Sequence, residues 1–260
     1  MEGNRSVANN EVRSDDYGLK QLQKYSKLSV TLRRITGFGI REYFRLSGFL
    51  CRPKIIRTYL RSHALRKLQL GAGPNILTDW LNTDYYPGSR RIVFLNATKR
   101  LPFEDRTFDY IFSEHQIEHV TYRDGLSMLH ECYRILKTGG RIRVATPDLE
   151  TLIGLHLPDK SELQQKYMKW IIDRYLPEVG VYRESFVINN AFRNFGHQFI
   201  YDYETLKSSM EEVGFIEINR YVSGESEDQI LRGIDSHGKS TGDEDINRFE
   251  TMVLEAKRPT

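Results

Sequence analysis

Cysteine and long apolar runs are scarce in this chain of 260 residues, and each scarcity excludes a class of protein. The two cysteines, Cys51 and Cys132, are too few for a disulfide framework or a four-thiolate zinc site. No stretch approaches the roughly 18 uncharged apolar residues that a transmembrane helix needs, because charged residues interrupt the most apolar N-terminal stretch, 40–51. The first residues carry no apolar h-region, which argues against a secretory signal peptide. We therefore expect a cytoplasmic protein.

The rest of the composition is that of an ordinary globular protein, with 39% hydrophobic, 12% aromatic and 28% charged residues. The formal net charge of +3 conceals an asymmetry: residues 1–67 carry 15 Lys and Arg against 5 Asp and Glu, whereas residues 68–260 carry 23 against 30. We interpret 1–18 as a loose terminus and 19–66 as a basic helical extension. The extension is either a solvated helical face that covers the sheet or a surface for a charged substrate, a nucleic acid or peripheral membrane contact.

Short apolar strands alternate with amphipathic stretches from residue 67 onward, which predicts a parallel α/β sheet. The predicted strands are 67–70, 80–83, 91–95, 108–113 and 141–145. Between the last two, Thr121 and Asp124 open a predicted helix that ends with Lys137 and the pair Gly139 and Gly140 as its C-cap.

The alternation of strands and amphipathic stretches is interrupted over residues 148–200 and resumes after them. Ser161 and Gln164 predict a capping box for a helix to about residue 175. Residues 176–196 read as a long aromatic loop, and we assign 148–200 as a lid-like insertion in a domain covering 67–260. A helix over 203–213 and strands over 215–222 and 249–256 then predict a closing hairpin.

A glycine turn follows the first predicted strand at Gly71 and Gly73. Two glycines allow a ligand to approach the backbone at the carboxyl edge of the sheet. A dinucleotide site would need a third glycine where Ile76 stands, so an adenosine without a pyrophosphate fits better. Asp84 ends the second predicted strand, where a carboxylate can accept bonds from both ribose hydroxyls.

With these landmarks in order, residues 68–148 resemble the class I S-adenosylmethionine-dependent methyltransferases of the methyltransferase-11 type. The matching segments are 70–73 (LGAG), Asp84, 96–97 (NA), 101–103 (LPF), 108–111 (FDYI), 118–119 (EH) and 136–141 (LKTGGR). The resemblance implies a Rossmann-like, mostly parallel sheet of seven strands whose last strand is antiparallel. It also implies S-adenosylmethionine as the cofactor.

The resemblance further implies which residues hold that cofactor. They are the turn of Gly71, Ala72 and Gly73 at the methionine part, Asp84 at the ribose, Asn96 and the backbone of Ala97 at the adenine, and Ser113 and Glu114 at the sulfonium side. Gln69 and Asn96 depart from the family, which usually has acidic residues there. Both amides keep an acceptor oxygen but lack the charge, so we expect weaker cofactor affinity than is usual.

Residues 115–119 (HQIEH) match the inverted zinc-protease pattern. We do not assign a metal here, because the pattern needs a helix throughout, whereas this segment follows a strand, and no downstream acid and histidine are evident to complete a site. His115 and His197 are our candidates for a catalytic base near the sulfonium. A packed, hydrogen-bonded histidine is the alternative for His115 and, more strongly, for His119.

Two later segments, 194–203 and 231–237 (LRGIDSH), resemble methyltransferases of bacterial surface-polysaccharide gene clusters. This resemblance implies an acceptor hydroxyl on a sugar, glycan or small metabolite and a role in polysaccharide biosynthesis. A noncatalytic methyltransferase-like scaffold is the first alternative. A nucleic-acid methyltransferase is the second, although residues 113–116 (SEHQ) lack the Asn-Pro-Pro-Tyr-type motif and residues 68–260 are acidic.

Overall fold

The computed structural model describes residues 45–46, 48–238 and 242–260. The predicted loose terminus and residues 19–44 of the predicted basic extension lie outside them. Residues 48–62 form helix α1. Its Tyr59 hydroxyl donates to the carbonyl of Lys67 at 2.8 Å and accepts from the Lys67 N–H at 2.8 Å. These bonds fasten α1 to the start of the first strand.

Seven strands form one sheet in the order β3-β2-β1-β4-β5-β7-β6. Their bounds are β1 (Lys67–Leu70), β2 (Leu81–Asp84), β3 (Val93–Phe94), β4 (Phe108–Glu114), β5 (Leu136–Pro147), β6 (Ile216–Tyr221) and β7 (Thr251–Lys257). The first five pair in parallel, and β7 runs antiparallel to both β5 and β6. This topology confirms the predicted class I methyltransferase fold.

Six further α-helices are described besides α1, together with a 3₁₀ helix over Ile117–His119. They are α2 (Tyr122–Ile135), α3 (Leu149–Gly154), α4 (Glu162–Tyr175), α5 (Glu184–Arg193), α6 (Tyr203–Val213) and α7 (Glu244–Glu250). Thr121 caps α2, and Ser161 with Gln164 forms the predicted capping box of α4. Gly214, at φ 108°, ends α6 as predicted. None of the described helices is both long and apolar enough to cross a membrane.

The predicted C-terminus of α2 is wrong. The helix ends at Ile135, and Gly139 and Gly140 lie inside β5. The helix end needs no glycine because the Arg258 guanidinium donates to the carbonyl oxygens of residues 133, 134 and 136. Leu136 can therefore enter the sheet at once, opposite Phe108.

The predicted aromatic loop over 176–196 is also wrong, because it contains α5. Helices α3, α4, α5 and α7 share an apolar cluster that includes Leu152, Tyr167, Ile171, Val187 and Ile246. This cluster is distinct from the main core between the sheet and helices α2 and α6. Much of the region read as a lid is thus a packed helical layer at the carboxyl end of β5.

Candidate active site

The glycine turn after β1 has two differently surrounded glycines. Both have positive φ, 68° at Gly71 and 50° at Gly73. A Cβ on Gly71 would lie 2.5 Å from Oε1 of Gln116 and 2.8 Å from its Cβ, whereas a Cβ on Gly73 would meet no atom within 4 Å. Gly71 is therefore needed for the close packing of Gln116, and Gly73 leaves its backbone open to a ligand. Sequence reasoning did not identify Gln116, since its role depends on tertiary packing.

Asp84 is the last residue of β2, and Asn96 lies two residues after the end of β3. Oδ2 of Asp84 accepts from the Gly73 N–H at 2.8 Å, and Oδ1 accepts from the Tyr86 N–H at 2.6 Å. Oδ1 of Asn96 accepts from the N–H of Thr98 at 3.0 Å, which leaves the backbone of the buried Ala97 inside a small turn. Ala72, also buried, donates its N–H to the Thr83 carbonyl at 2.9 Å. The structure brings these residues together at one edge of the sheet.

Buried polar atoms without a partner mark the same edge. Among the described residues four such side-chain atoms occur: Gln69 Oε1, Asn75 Nδ2, Ser113 Oγ and Tyr201 OH. Gln69 lies in β1 and Asn75 follows the glycine turn, while Ser113 lies in β4 beside Leu70. Because an unpaired buried polar group costs free energy, the atoms of Gln69, Asn75 and Ser113 fit a site whose polar ligand completes them, as an adenosyl amino acid would. The Tyr201 hydroxyl lies elsewhere, beside Gly125 of α2.

Glu114 has a partner other than the one expected. Its Oε1 accepts from the backbone N–H groups of Ser236 and His237 at 2.9 and 3.0 Å. Burial raises the pKa of this carboxyl, although the two N–H groups act in the opposite direction. Glu114 thus anchors the loop that contains the 231–237 motif.

A cavity of about 340 Å³ opens beyond β4 and β5. Its apolar wall includes Leu152, Trp170, Ile171, Val187 and Phe195, which belong to or adjoin helices α3 to α5. Its polar wall is formed by His115, Glu118, His119, Asn190, His197, His237 and Glu250, with Tyr167 beside them. The segment 115–119 therefore lies between the glycine turn, which Gln116 contacts, and this cavity.

His115 is held at both ring nitrogens. Nδ1 lies 3.1 Å from Oε1 of Glu118, and Nε2 lies 3.2 Å from Oγ1 of Thr251. Burial by itself lowers the pKa of His115, but the bond and charge of Glu118 outweigh burial, so the pKa is raised. Burial likewise acts to raise the pKa of Glu118, and His115 reverses it to a lowered value. The two residues form a buried ion pair, which makes His115 a poor proton acceptor.

His197 is held at one ring nitrogen only. Nδ1 lies 2.8 Å from the carbonyl oxygen of Ala191. A carbonyl only accepts, so Nδ1 carries a hydrogen and the neutral ring has its lone pair on Nε2. Burial lowers the pKa of His197, which favours that neutral form. His197 therefore has the properties of a base at neutral pH.

Residues 115–119, for which we predicted no metal, contribute to two groups of potential metal ligands. Residues 117–119 form a 3₁₀ helix and not an α-helix, as the preceding strand indicated. Downstream residues do converge there, however: His115, His237 and Glu250 form one group of potential metal ligands, and Glu118, His119 and His197 form another. The sequence could not reveal this convergence, because α7 and the fold of 184–250 bring the residues from up to 135 positions away.

Residues 68–144 match the family model of the methyltransferase domain. Over 132 residues the chain is 34% identical to the ubiquinone/menaquinone biosynthesis C-methyltransferase UbiE of Marinomonas sp., covering 49% of this chain and 46% of that protein. The chain spans about half the length of the curated relatives that it matches.

Two solved structures are similar to this chain at low sequence identity. A SAM-dependent methyltransferase from Archaeoglobus fulgidus is 18% identical, with 84% of this chain and 94% of that chain covered and a TM-score of 0.44. Phosphoethanolamine N-methyltransferase 2 of Haemonchus contortus, in complex with phosphomonomethylethanolamine and S-adenosylhomocysteine, is 14% identical, with 75% and 49% covered and a TM-score of 0.40.

The family-model match and the curated relatives support a methyltransferase domain over residues 68–144. These matches do not support the predicted resemblance to enzymes of polysaccharide gene clusters, and they do not indicate a sugar hydroxyl as the acceptor. The name of the relative from Marinomonas specifies methyl transfer to carbon.

Proposed function

We propose that this protein transfers a methyl group from S-adenosylmethionine to a hydroxyl group of a sugar, glycan or small metabolite. The observation that carries the proposal is the state of His197. Its Nδ1 is fixed by the Ala191 carbonyl, so that a neutral ring presents a proton-accepting Nε2 within a partly apolar cavity beside the carboxyl ends of the strands.

The residues at the glycine turn suit the cofactor. Asp84 would accept from the ribose hydroxyls, the open backbone of Gly73 would lie against the amino-acid part, and Asn96 with the Ala97 backbone would meet the adenine. Gln69 and Ser113 have buried polar atoms without a protein partner. When bound, S-adenosylmethionine supplies an electrophilic methyl group on a positively charged sulfur.

The histidine cavity suits the acceptor. An acceptor hydroxyl has to lose its proton as it becomes an ether, and the role of His197 Nε2 is to take that proton. The apolar wall from Leu152, Trp170 and Phe195 keeps water away from the reacting groups. The polar wall opposite it can bind further hydroxyls of a sugar.

The glycan acceptor and the cytoplasmic location remain predictions from sequence. The prediction of a glycan acceptor depends on the resemblance carried by segments 194–203 and 231–237. The second segment forms part of the site: His237 lines the cavity, and Asp235 is ion-paired with the buried Arg143. A membrane-bound or nucleic-acid acceptor would instead depend on the predicted basic extension, residues 19–66.

Methyl transfer to carbon is a second candidate. It is favoured by the apolar wall, which could hold a flat hydrocarbon ring, and by the name of the relative from Marinomonas. A carbon acid also loses a proton to a base, so His197 would have the same role. The two functions differ in the product.

The test is a screen for incorporation of labelled methyl groups from S-adenosylmethionine into nucleotide sugars, glycans and hydroxylated quinone precursors. An O-methylated sugar as the product supports the proposal, and a C-methylated ring supports the second candidate. His156→Ala is a matched control for His197→Ala, because His156 is exposed, lies in the same helical layer and does not line the cavity.

A noncatalytic scaffold is distinguished by binding. Calorimetry with S-adenosylhomocysteine would show saturable binding to a methyltransferase. Absence of binding together with absence of incorporation would refute the proposal and favour the scaffold.

A further inference from the structure

Three side chains from separate parts of the fold converge in the cavity: His115 after β4, His237 in the segment anchored by Glu114, and Glu250 at the end of α7. Each offers one ligand atom, and the three atoms lie within 4.8 Å of one another. We propose that His115, His237 and Glu250 bind a divalent transition-metal ion. Two imidazoles and one carboxylate are a donor set that zinc, iron, cobalt and manganese accept, and they leave coordination positions open.

The surroundings of His115 are those of a metal ligand. Its Nδ1 lies against Oε1 of the fully buried Glu118, and Oε2 of Glu118 accepts from the Thr146 hydroxyl at 3.1 Å. A histidine that ligates a metal through one nitrogen commonly donates from the other to a carboxylate, which fixes its orientation. His115 would then ligate through Nε2, which on metal binding gives up its proton and its contact with Oγ1 of Thr251 at 3.2 Å. The backbone of His115 has a positive φ of 47°, a conformation that costs free energy in a residue other than glycine. This conformation, just after the end of β4, accompanies a ring that lines the cavity.

The backbone of His237 is held by Glu114, and its ring contacts both His115 and Glu250. The His237 N–H is bound by Glu114, and the neighbouring Asp235 is ion-paired with Arg143, which is fully buried. The His237 ring stacks on that of His115 with centroids 3.8 Å apart, and its Nε2 lies 3.5 Å from Oε1 of Glu250. Glu114 and Asp235 thus fix the segment that contains His237. The His237 ring lies close to a third carboxylate, that of Glu250.

The neighbouring group of Glu118, His119 and His197 is the weaker candidate. Both oxygens of Glu118 already accept hydrogen bonds, from His115 and Thr146. Glu118 is therefore better placed to orient His115 than to ligate a metal itself. This assignment also leaves His197 available as a base.

A metal at this position would have open sites toward the cavity. Its use in catalysis rests on the proposed function: an acceptor oxygen bound to the ion would lose its proton more readily, and His197 would receive that proton. The metal site itself does not depend on that function, because it can be measured without cofactor or acceptor.

The experiment is metal titration of the full chain after dialysis against a chelator, with Zn²⁺ by calorimetry and Co²⁺ by visible absorption. We expect one ion per chain and a Co²⁺ spectrum of a four- or five-coordinate site. His237→Ala should weaken binding by at least about tenfold, and Glu118→Gln by about 10- to 100-fold, as for other residues that orient a ligand. His156→Ala should bind as the parent does.

The proposal is overturned if no saturable one-to-one binding is found, or if His237→Ala keeps the parental affinity. A loss in His119→Ala without a loss in His237→Ala would overturn it in favour of the neighbouring group. Circular dichroism of each variant separates lost binding from lost folding. Metal binding without methyl incorporation for any acceptor would count against the proposed function alone.

Discussion

The backbone N–H of Gly73 donates to Oδ2 of Asp84 at 2.8 Å. This bond ties the turn after β1 to the end of β2 and holds the carboxylate at the place where the ribose is expected. Oδ1 accepts from the Tyr86 N–H, so both oxygens are oriented before a ligand arrives. Each oxygen retains a lone pair for a ribose hydroxyl.

Replacing this carboxylate should weaken cofactor binding. Asp84→Ala is expected to cost about 1.5 to 3 kcal/mol of binding free energy, or roughly a 10- to 150-fold increase in Kd for S-adenosylhomocysteine, because bonds to a charged acceptor are lost. Calorimetry measures the change. Asp159→Ala, at an exposed aspartate before α4, is the control, and equal Kd values for parent and Asp84→Ala would remove Asp84 from the site.

Gly71 and Gly73 form a matched pair for a test of stability. Both have left-handed backbones, so an alanine at either position should cost about 1 to 2 kcal/mol of unfolding free energy. Only at Gly71 does the new Cβ also collide with Gln116, so Gly71→Ala should lose a further 1 to 3 kcal/mol or so from overpacking. Urea denaturation compares the two variants.

The more stable of these two variants should nevertheless have a defect in cofactor affinity. Gly73→Ala, though the more stable of the two, should still bind S-adenosylhomocysteine more weakly than the parent, because its methyl group lies in the space left for a ligand. If Gly71→Ala were as stable as Gly73→Ala, the contact with Gln116 would not constrain the turn.

Local sequence signals predicted the elements that position the cofactor, whereas the acceptor side depended on tertiary packing. Strand β1 was predicted to the residue, and α6 begins close to its predicted start at about residue 203, because a short apolar run and an aspartate cap define them locally. Helix α5 was missed, because aromatic residues and asparagines obscure its buried side, which consists of Val187 and Asn190.

The end of α2 and the cavity show the same limit. A distant guanidinium, that of Arg258, replaced the expected glycine cap. Glu250 and His237 lie near His115 in a sheet where β7 is placed between β5 and β6. No local sequence pattern indicates that strand order. Glu114, predicted to line the sulfonium side, also accepts a hydrogen bond from the backbone of His237, a contact that the sequence did not indicate.

An ion pair distant from the cavity should make stability depend on pH. Glu131 accepts from Arg134 at 2.6 Å and from the Leu101 N–H at 2.7 Å, and the bond from Arg134 is the main cause that lowers the pKa of Glu131. A lowered folded-state pKa gives stability that is present above the ordinary value near 4.5 and is lost as the pH falls through the folded-state value.

Glu131→Gln should therefore be less stable than the parent by about 1 to 2 kcal/mol at pH 7. The difference should shrink as the pH falls below about 4. Urea denaturation across this range measures both effects, with Glu204→Gln, at an exposed position of α6, as the control. A difference that stays constant down to pH 3 would contradict the assignment.

His197 should account for the pH dependence of turnover. Its Nδ1 is bound to the Ala191 carbonyl and burial lowers the pKa of the ring, so the basic form should persist below pH 6.5, and turnover should fall only when the pH drops through that lowered pKa. Once an acceptor is identified, His197→Ala should reduce turnover by roughly 100- to 10,000-fold with the Kd of S-adenosylhomocysteine nearly unchanged.

His115 was the other sequence candidate for this base, and the structure separates the two. Both ring nitrogens of His115 have protein partners, so His115 is a poor base. If it ligates the proposed metal instead, its loss should alter turnover through metal affinity, and added Zn²⁺ or Co²⁺ should partly restore His115→Ala but not His197→Ala. Parental turnover in His197→Ala across pH 6 to 9 would exclude histidine as the base at this position. The proton would then pass to another group in the cavity, such as the Glu250 carboxylate, whose Oε1 lies 3.5 Å from Nε2 of His237.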